Sequence, residues 1–207
     1  IQIGDVDHDS LEVFHNLEEV LREDYRHPIP TGIDGIDNLL NGGLAKGEIG
    51  VILAPTGVGK TTILTKFANT AFNMGYNVLQ IFFEDNPKII QRKHFTCWTG
   101  IVPDELSENK EKVISKAEEM KKQGGKLILK KMASDEFNMT TIKNQIRKVI
   151  SEGSNIDLVI LDYIDCVIPD RSFSDEWKGE GSVMRKFESM CNELNLVGWT
   201  ATQGNRS

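Results

Sequence analysis

Five short apolar runs alternate along this chain with segments whose apolar residues recur every three or four positions. A short continuous apolar run is typical of a buried strand, whereas the three- and four-residue spacing is typical of an amphipathic helix. The predicted strands cover residues 48–53, 77–83, 127–129, 157–163 and 196–203. The predicted helices cover residues 33–40, 63–72, 88–99, 104–123, 140–152 and 183–194. Strands that alternate with helices predict an α/β fold, a mostly parallel twisted sheet with helices on both faces.

A further helical pattern precedes this alternation. Its apolar positions are Leu11, Phe14, Leu17 and Leu21. Asp9 or Ser10 is a suitable N-cap, and the pattern ends before Pro28. We interpret residues 1–28 as an N-terminal linker helix and residues 29–207 as the α/β domain. The linker either docks on another body or packs on its own domain, and the sequence favours neither.

A glycine-rich loop joins the first strand to the helix that follows it. The loop comprises Ala54, Pro55, Thr56, Gly57, Val58, Gly59, Lys60, Thr61 and Thr62. Strand, glycine loop, Lys-Thr and helix form the context of a phosphate-binding P-loop, although Ala54 stands where the strict pattern has glycine. The glycines let backbone N–H groups point at phosphate oxygens. We expect Lys60 to reach the β- and γ-phosphates of ATP and Thr61 to bind Mg²⁺.

Polar residues follow three other predicted strands. Glu84 follows the second strand and is a candidate general base for the water that attacks the γ-phosphate, the alternative being a helix cap or a solvated acid. Asp162 ends a run of four apolar residues, the Walker B pattern, and would orient Mg²⁺ opposite Thr61. Gln203 ends the last strand and could sense the γ-phosphate or be a plain strand terminus.

Residues 169–182 form a long polar stretch that we interpret as a loop, and long loops in compact domains are often functional. Its candidate nucleic-acid contacts are Arg171, Lys178, Gly179 and Gly181. Interspersed acidic residues weaken that interpretation. The whole chain of 207 residues has a formal net charge of −7, which argues against a surface coated for nucleic acid but not against a local basic loop. No apolar run approaches the ~20 residues that span a bilayer, so we expect no membrane partner.

These motifs, in this order, resemble the RecA-type ATPase core, and within it the DnaB-type replicative helicases. The resemblance rests on Ile29 to Asp34, Gly42 to Leu44, Ala54 to Thr61, Phe83-Glu84 followed by Arg92, Leu161 to Tyr163, and Thr202 to Arg206. It implies a hexameric ring that hydrolyses ATP with Mg²⁺ and draws single-stranded DNA through its centre. It also implies a cytoplasmic location, or a nucleoid or phage replication complex, and a primase or helicase loader as partner. It further implies an arginine finger beyond Ser207, so that the ATPase domain is truncated here.

Other ATPase classes share part of this pattern. A RecA- or RadA-type recombinase has the same P-loop, Glu84, Asp162 and Gln203, and uses ATP as a switch for coating DNA. The segment Gly32 to Asp37 also suits clock-type ATPases of the KaiC group. A small-molecule kinase is less consistent with the sequence, because no lid-like arginine cluster is visible and a glutamate directly after the second strand suits water activation.

Overall fold

The computed structural model describes residues 13–22, 26–123, 125–132, 137–169 and 176–203. The strands are β1 (Ile49–Leu53), β2 (Val78–Phe82), β3 (Leu127–Lys131), β4 (Leu158–Asp162) and β5 (Val197–Thr202). The helices are α1 (Leu17–Val20), α2 (Asp34–Leu39), α3 (Lys60–Asn73), α4 (Pro87–Thr99), α5 (Lys110–Lys121), α6 (Met139–Ser151) and α7 (Glu176–Glu193). Short 3₁₀ turns cover Pro103–Glu105 and Ile164–Cys166. In this described part, no helix has both the length and the apolar character to cross a membrane.

The strands form a single parallel sheet in the order β1-β5-β4-β2-β3. Leu53 pairs with Thr202 at one side of the sheet, and Phe82 pairs with Asp162 nearer its other side. Because all the strands run the same way, their carboxyl ends meet at one edge, where ligands bind in open α/β sheets. The predicted fold class is therefore confirmed, and the polar residues predicted at the strand ends share that edge.

Apolar layers cover both faces of the sheet. On one face, α3 contributes the fully buried Leu64 and Phe67, and the Phe67 ring lies 4.7 Å from the Trp199 ring of β5. On the other face, α6 and α7 contribute Ile142 and Phe187, both 0% exposed. Burying such side chains stabilises the fold by about 1.5–3 kcal/mol each. These apolar layers fix α3, which is the helix that follows the P-loop, against the sheet.

Strand β1 lies at an edge of the sheet, and its predicted burial is wrong in part. Val51 is 40% exposed and Leu53 is 70% exposed, although Ile49 packs against the layer formed by α6 and α7. Within the described residues, β1 pairs only with β5. The apolar run does form a strand, but the helices on that face cover the centre of the sheet and leave the end of β1 exposed.

The polar stretch 169–182 is not a loop along its whole length, because α7 begins at Glu176. Gly179 and Gly181, predicted as loop residues that contact nucleic acid, therefore lie in a helix. Glycine in a helix costs roughly 1 kcal/mol relative to alanine. The buried Val183 and Phe187, one helical turn apart, hold this helix on the sheet and outweigh that cost. The prediction of a loop is wrong from Glu176 onward.

Helix α1 occupies part of the predicted linker helix. The expected caps Asp9 and Ser10, and the first apolar position Leu11, lie outside the described residues. The apolar side chains of the described segment are exposed: Val13 80%, Phe14 77%, Leu17 50%, Val20 51% and Leu21 82%. Leu17 and Val20 remain about half covered, so both alternatives for the linker stay open.

Candidate functional site

The P-loop has the backbone conformation that its glycines predict. Gly57 and Gly59 have φ angles of 80° and 94°, which side chains other than glycine rarely adopt. Gly59 is the left-handed N-cap of α3, so the helix begins at Lys60 and directs its first N–H groups toward the loop. The Ala54 N–H donates a hydrogen bond to the Thr202 carbonyl (3.2 Å), which ties the loop to β5. The arrangement is suited to binding phosphate.

A cleft of about 350 Å³ opens at the carboxyl edge of the sheet, beside this loop. It is lined by Thr56, Gly57, Gly59, Lys60, Thr61, Thr62, Phe82, Glu84, Asp85, Lys93, Asp162, Tyr163 and Gln203. The structure thus brings the predicted catalytic, metal-binding and sensor residues to one place. The cleft also contains Lys93 and Tyr163. The sequence assigns no role to these two residues, because only their contacts in the folded chain show that they lie here. Val58 projects outward and is 57% exposed.

Thr61 and Asp162 form an oxygen pair within the cleft. The Thr61 hydroxyl donates a hydrogen bond to Asp162 Oδ1 (3.3 Å), and Asp162 is 6% exposed. Burial raises the pKa of Asp162 to about 6, while the Thr61 hydroxyl and nearby Lys93 partly counteract this effect. Mg²⁺ prefers hard oxygen ligands and commonly takes few from the protein, with water and substrate phosphates completing its shell. The pair fits Mg²⁺. Among the described residues, no group of three or more His, Cys, Asp or Glu side chains could hold a metal ion by itself.

Glu84 is held by contacts on two sides. The Tyr163 hydroxyl donates a hydrogen bond to Glu84 Oε1 (3.2 Å), and Lys131 Nζ donates to the Glu84 carbonyl (3.1 Å). The Tyr163 ring also lies under Lys60, whose Nζ is 4.8 Å from the ring centroid, a cation–π distance. One tyrosine therefore contacts both the lysine predicted to bind phosphate and the candidate general base.

We expect Tyr163→Phe to lower kcat for ATP hydrolysis about threefold to tenfold and to change KM little. The substitution removes the hydrogen bond to Glu84, worth about 0.5–1.5 kcal/mol or somewhat more to a charged partner, and keeps the ring under Lys60. Steady-state ATPase assays test this, with Tyr76→Phe as a matched control away from the cleft. An unchanged kcat would show that the hydroxyl does not help to orient Glu84.

Gln203 lies against the P-loop, where its side-chain amide donates a hydrogen bond to Thr56 Oγ1. Lys93 enters the cleft from α4 and pairs with Asp85 (3.4 Å), the residue after Glu84. The sequence does not show that Lys93 lies in the cleft. The spacing of apolar residues indicates which side of α4 the lysine occupies, but it does not indicate which strand end that side contacts.

Helix α4 is joined to the P-loop helix by a buried polar chain. His94 Nε2 lies 3.0 Å from Gln80 Oε1 on β2, and His94 Nδ1 lies 2.9 Å from Asn69 Nδ2 on α3. Burial lowers the pKa of His94 to about 4, so the ring is neutral near pH 7. These hydrogen bonds fix α4, and therefore Lys93, relative to the P-loop.

Two groups of predicted site residues do not line the cleft: Ala54, Pro55 and Val58 of the P-loop, and the described glycines among the candidate nucleic-acid contacts. Arg171 lies outside the described residues. Lys178, Gly179 and Gly181 lie near the start of α7, and neither glycine lines the cleft. Contact with DNA at these residues stays a prediction.

The carboxyl edge of the parallel sheet carries a P-loop, a Thr–Asp oxygen pair, a glutamate after β2 and a glutamine after β5. Together these features define a P-loop ATPase with a RecA-like core. Comparison with known proteins agrees with this class. The family model described as "ATPase: KaiC" matches residues 29–201. The chain belongs to that ATPase family.

Sequence relatives are proteins of DNA repair and recombination. The chain is 36% identical over 79 residues to the DNA repair protein RadA of Mycobacterium tuberculosis (strain CDC 1551 / Oshkosh), covering 38% of this chain and 16% of that protein. It is 35% identical over 94 residues to the DNA repair and recombination protein RadB of Methanobrevibacter smithii, covering 39% of this chain and 37% of that protein. The chain therefore spans well under half the length of these relatives.

Two solved structures share the fold. One is described as the structure of a DnaB-like replicative helicase and its interactions with primase. It matches with a TM-score of 0.73 and 17% identity, covering 86% of this chain and 44% of that one. The other, described as an ATPase domain, matches with a TM-score of 0.72 and 16% identity, covering 86% of this chain and 64% of that one. At these identities the likeness concerns the fold alone.

Proposed function

We propose that the chain is the ATP-hydrolysing motor domain of a replicative DNA helicase, which unwinds duplex DNA by moving along single-stranded DNA. The observation that carries the proposal is the convergence of the P-loop, Glu84, Asp162 and Gln203 on one cleft. The likeness of the fold to a DnaB-like replicative helicase supports the motor class. The sequence resemblance at Asp162-Tyr163 and at residues 203–206 favours a helicase over a recombinase.

The residues of the cleft divide the hydrolysis reaction among them. Lys60 and the loop N–H groups bind the phosphates of ATP, and Thr61 with Asp162 would hold Mg²⁺. The metal, when bound, neutralises charge that develops on the phosphate oxygens. Glu84 accepts a proton from the attacking water, and its exposed position at the cleft leaves room for that water. The Gln203 amide, now on Thr56, is available to donate to the γ-phosphate.

We infer that the motor works as a homo-oligomer, a hexamer in the resemblance described above. The exposed apolar side chains of α1 and its flanks, including Phe14 and Leu21, support this inference, because contiguous exposed apolar surface marks an interaction site. One structural neighbour is described together with its interactions with primase. A primase or a helicase loader is accordingly a candidate partner here.

A recombinase is the second candidate function. The RadA and RadB similarities favour it, since they are matches in sequence at 36% and 35% identity. In that case ATP would control the coating of DNA as a filament. The cleft would be the same, and the difference would lie in what hydrolysis accomplishes.

Strand separation of a forked DNA duplex distinguishes these functions. The full-length protein is mixed with the fork and ATP, with Lys60→Ala as the inactive control, and light scattering gives its oligomeric state. ATP-dependent unwinding by the wild type alone is the expected result. ATPase activity that single-stranded DNA stimulates, without unwinding, would favour the recombinase. An ATPase that ignores DNA altogether would contradict both and favour a clock-type or other ATPase.

A further inference from the structure

Asp165 is an exposed carboxylate that the sequence does not single out, yet both its oxygens accept hydrogen bonds from the end of β5. Asp165 Oδ1 accepts from the Thr202 hydroxyl at 2.6 Å, and Asp165 Oδ2 accepts from the Gln203 backbone N–H at 2.7 Å. Hydrogen bonds to an ionised acceptor are short and about twice as strong as neutral ones. The two bonds fix the point where the chain leaves the sheet.

Gln203 is the residue held at that point. Its backbone is fixed by Asp165, and its side-chain amide contacts Thr56 of the P-loop. A continuous series of contacts therefore runs from Asp165 through Gln203 to the phosphate-binding loop. If the Gln203 backbone were free, its side chain could leave the loop without breaking any strand pairing, because β5 ends at Thr202.

Asp165 also belongs to the same short run as two residues of the cleft. Asp162 ends β4, and Tyr163, which contacts Glu84 and Lys60, follows directly. Asp165 lies in the 3₁₀ turn that comes next. The carboxylate thus connects the end of β5 to the segment that carries the Mg²⁺ carboxylate and the partner of the general base.

We infer that Asp165 is a positioning residue, which holds Gln203 where its amide can distinguish a nucleoside triphosphate from a diphosphate and ties that sensor to the segment Asp162–Asp165. The inference rests on the sensor role proposed for Gln203. Through Asp165, loss of the γ-phosphate would affect the side of the cleft that carries the metal-binding carboxylate and the general base. Asp165 touches no nucleotide itself and acts only through Gln203.

A double-mutant cycle tests this inference. The affinities for ADP and for the slowly hydrolysed analogue ATPγS are measured with Mg²⁺ for the wild type, Asp165→Ala, Gln203→Ala and the double variant. The wild type should prefer ATPγS, and each single variant should lose about twofold to tenfold of that preference, the effect of one hydrogen bond. The double variant should be no worse than Gln203→Ala, because Asp165 has nothing left to position.

Two further variants separate positioning from general stability. Asp165→Asn keeps one acceptor oxygen, so it should retain part of the preference and guards against misfolding of the alanine variant. Asp157→Ala is the matched control, because Asp157 also accepts a backbone N–H (Asn77, 2.9 Å) but lies at the opposite end of β4. Its effect, whatever its size, should add to that of Gln203→Ala.

The outcomes separate the two levels of the argument. Additive effects of Asp165→Ala and Gln203→Ala, or an unchanged preference in Asp165→Ala, would overturn the positioning role of Asp165. Equal affinity of the wild type for both nucleotides would instead contradict the sensor role of Gln203, and the inference with it. The assay contains no DNA, so failure of the helicase proposal in the unwinding experiment leaves this result unaffected.

Discussion

Replacing Glu84 with glutamine should leave ATP binding close to that of the wild type and reduce turnover by about 10²–10⁴-fold, the usual contribution of a general base. The amide has nearly the shape of the carboxylate and keeps an oxygen that can accept the Tyr163 hydrogen bond, so the geometry of the cleft should survive. It cannot accept a proton from water. ATP affinity and the single-turnover hydrolysis rate measure the two effects separately.

Glu118→Gln is the matched control for this substitution, because it makes the same change at an exposed position of α5. It should hydrolyse ATP at the wild-type rate. Glu84→Gln with turnover near that of the wild type would mean that another group activates the water. The assignment of Glu84 as the general base would then be wrong.

Replacing Lys60 with alanine should weaken ATP binding about tenfold to a hundredfold. A hydrogen bond to a charged group contributes roughly 1.5–3 kcal/mol, and the lysine is the charged side chain at the start of the P-loop helix. ADP binding should suffer less, because ADP lacks the γ-phosphate that Lys60 would contact. Isothermal titration with Mg²⁺ and each nucleotide gives both affinities.

Lys66→Ala provides the comparison on the same helix, since Lys66 is exposed on α3 and does not line the cleft. It should bind ATP as the wild type does. If Lys60→Ala has an unchanged dissociation constant, the glycine-rich loop is not the phosphate site. A general loss of folding would instead lower the melting temperature, which the same samples report.

The P-loop and the strand ends could be predicted from sequence because their determinants are local. Gly57 and Gly59 are needed for a backbone conformation that the neighbouring residues define, and the structure gives both a positive φ. Asp162 follows an apolar run long enough to form a buried strand. In a parallel sheet, knowing that a residue ends a strand is enough to place it at the ligand-binding edge.

The errors concern relations between distant segments. The apolar run of β1 does not say that the strand lies at an edge, because strand order depends on pairing with β5, which is the last strand of the chain. Gly179 and Gly181 look like loop residues, yet Val183 and Phe187 bury enough surface to keep them helical. Local propensity is a weak guide where packing decides.

The contacts of Tyr163 and Asp165 could not be predicted from the sequence, because they too join distant segments of the chain. Tyr163 reaches Glu84 across 79 positions of the chain, and Asp165 reaches Gln203 across 38. Each contact joins the loops that follow two different strands. Only the strand order of the assembled sheet brings those loops together.

The strand order also affects the stability of the folded domain. The nucleotide cleft is assembled from segments between Thr56 and Gln203, so the unfolded chain has no binding site to offer. A ligand that binds only the folded state stabilises it by about 2.7 kcal/mol at a concentration one hundred times its dissociation constant. Nucleotide would therefore stabilise the folded domain as well as serve as its substrate, and depletion of nucleotide would increase the population of unfolded chains.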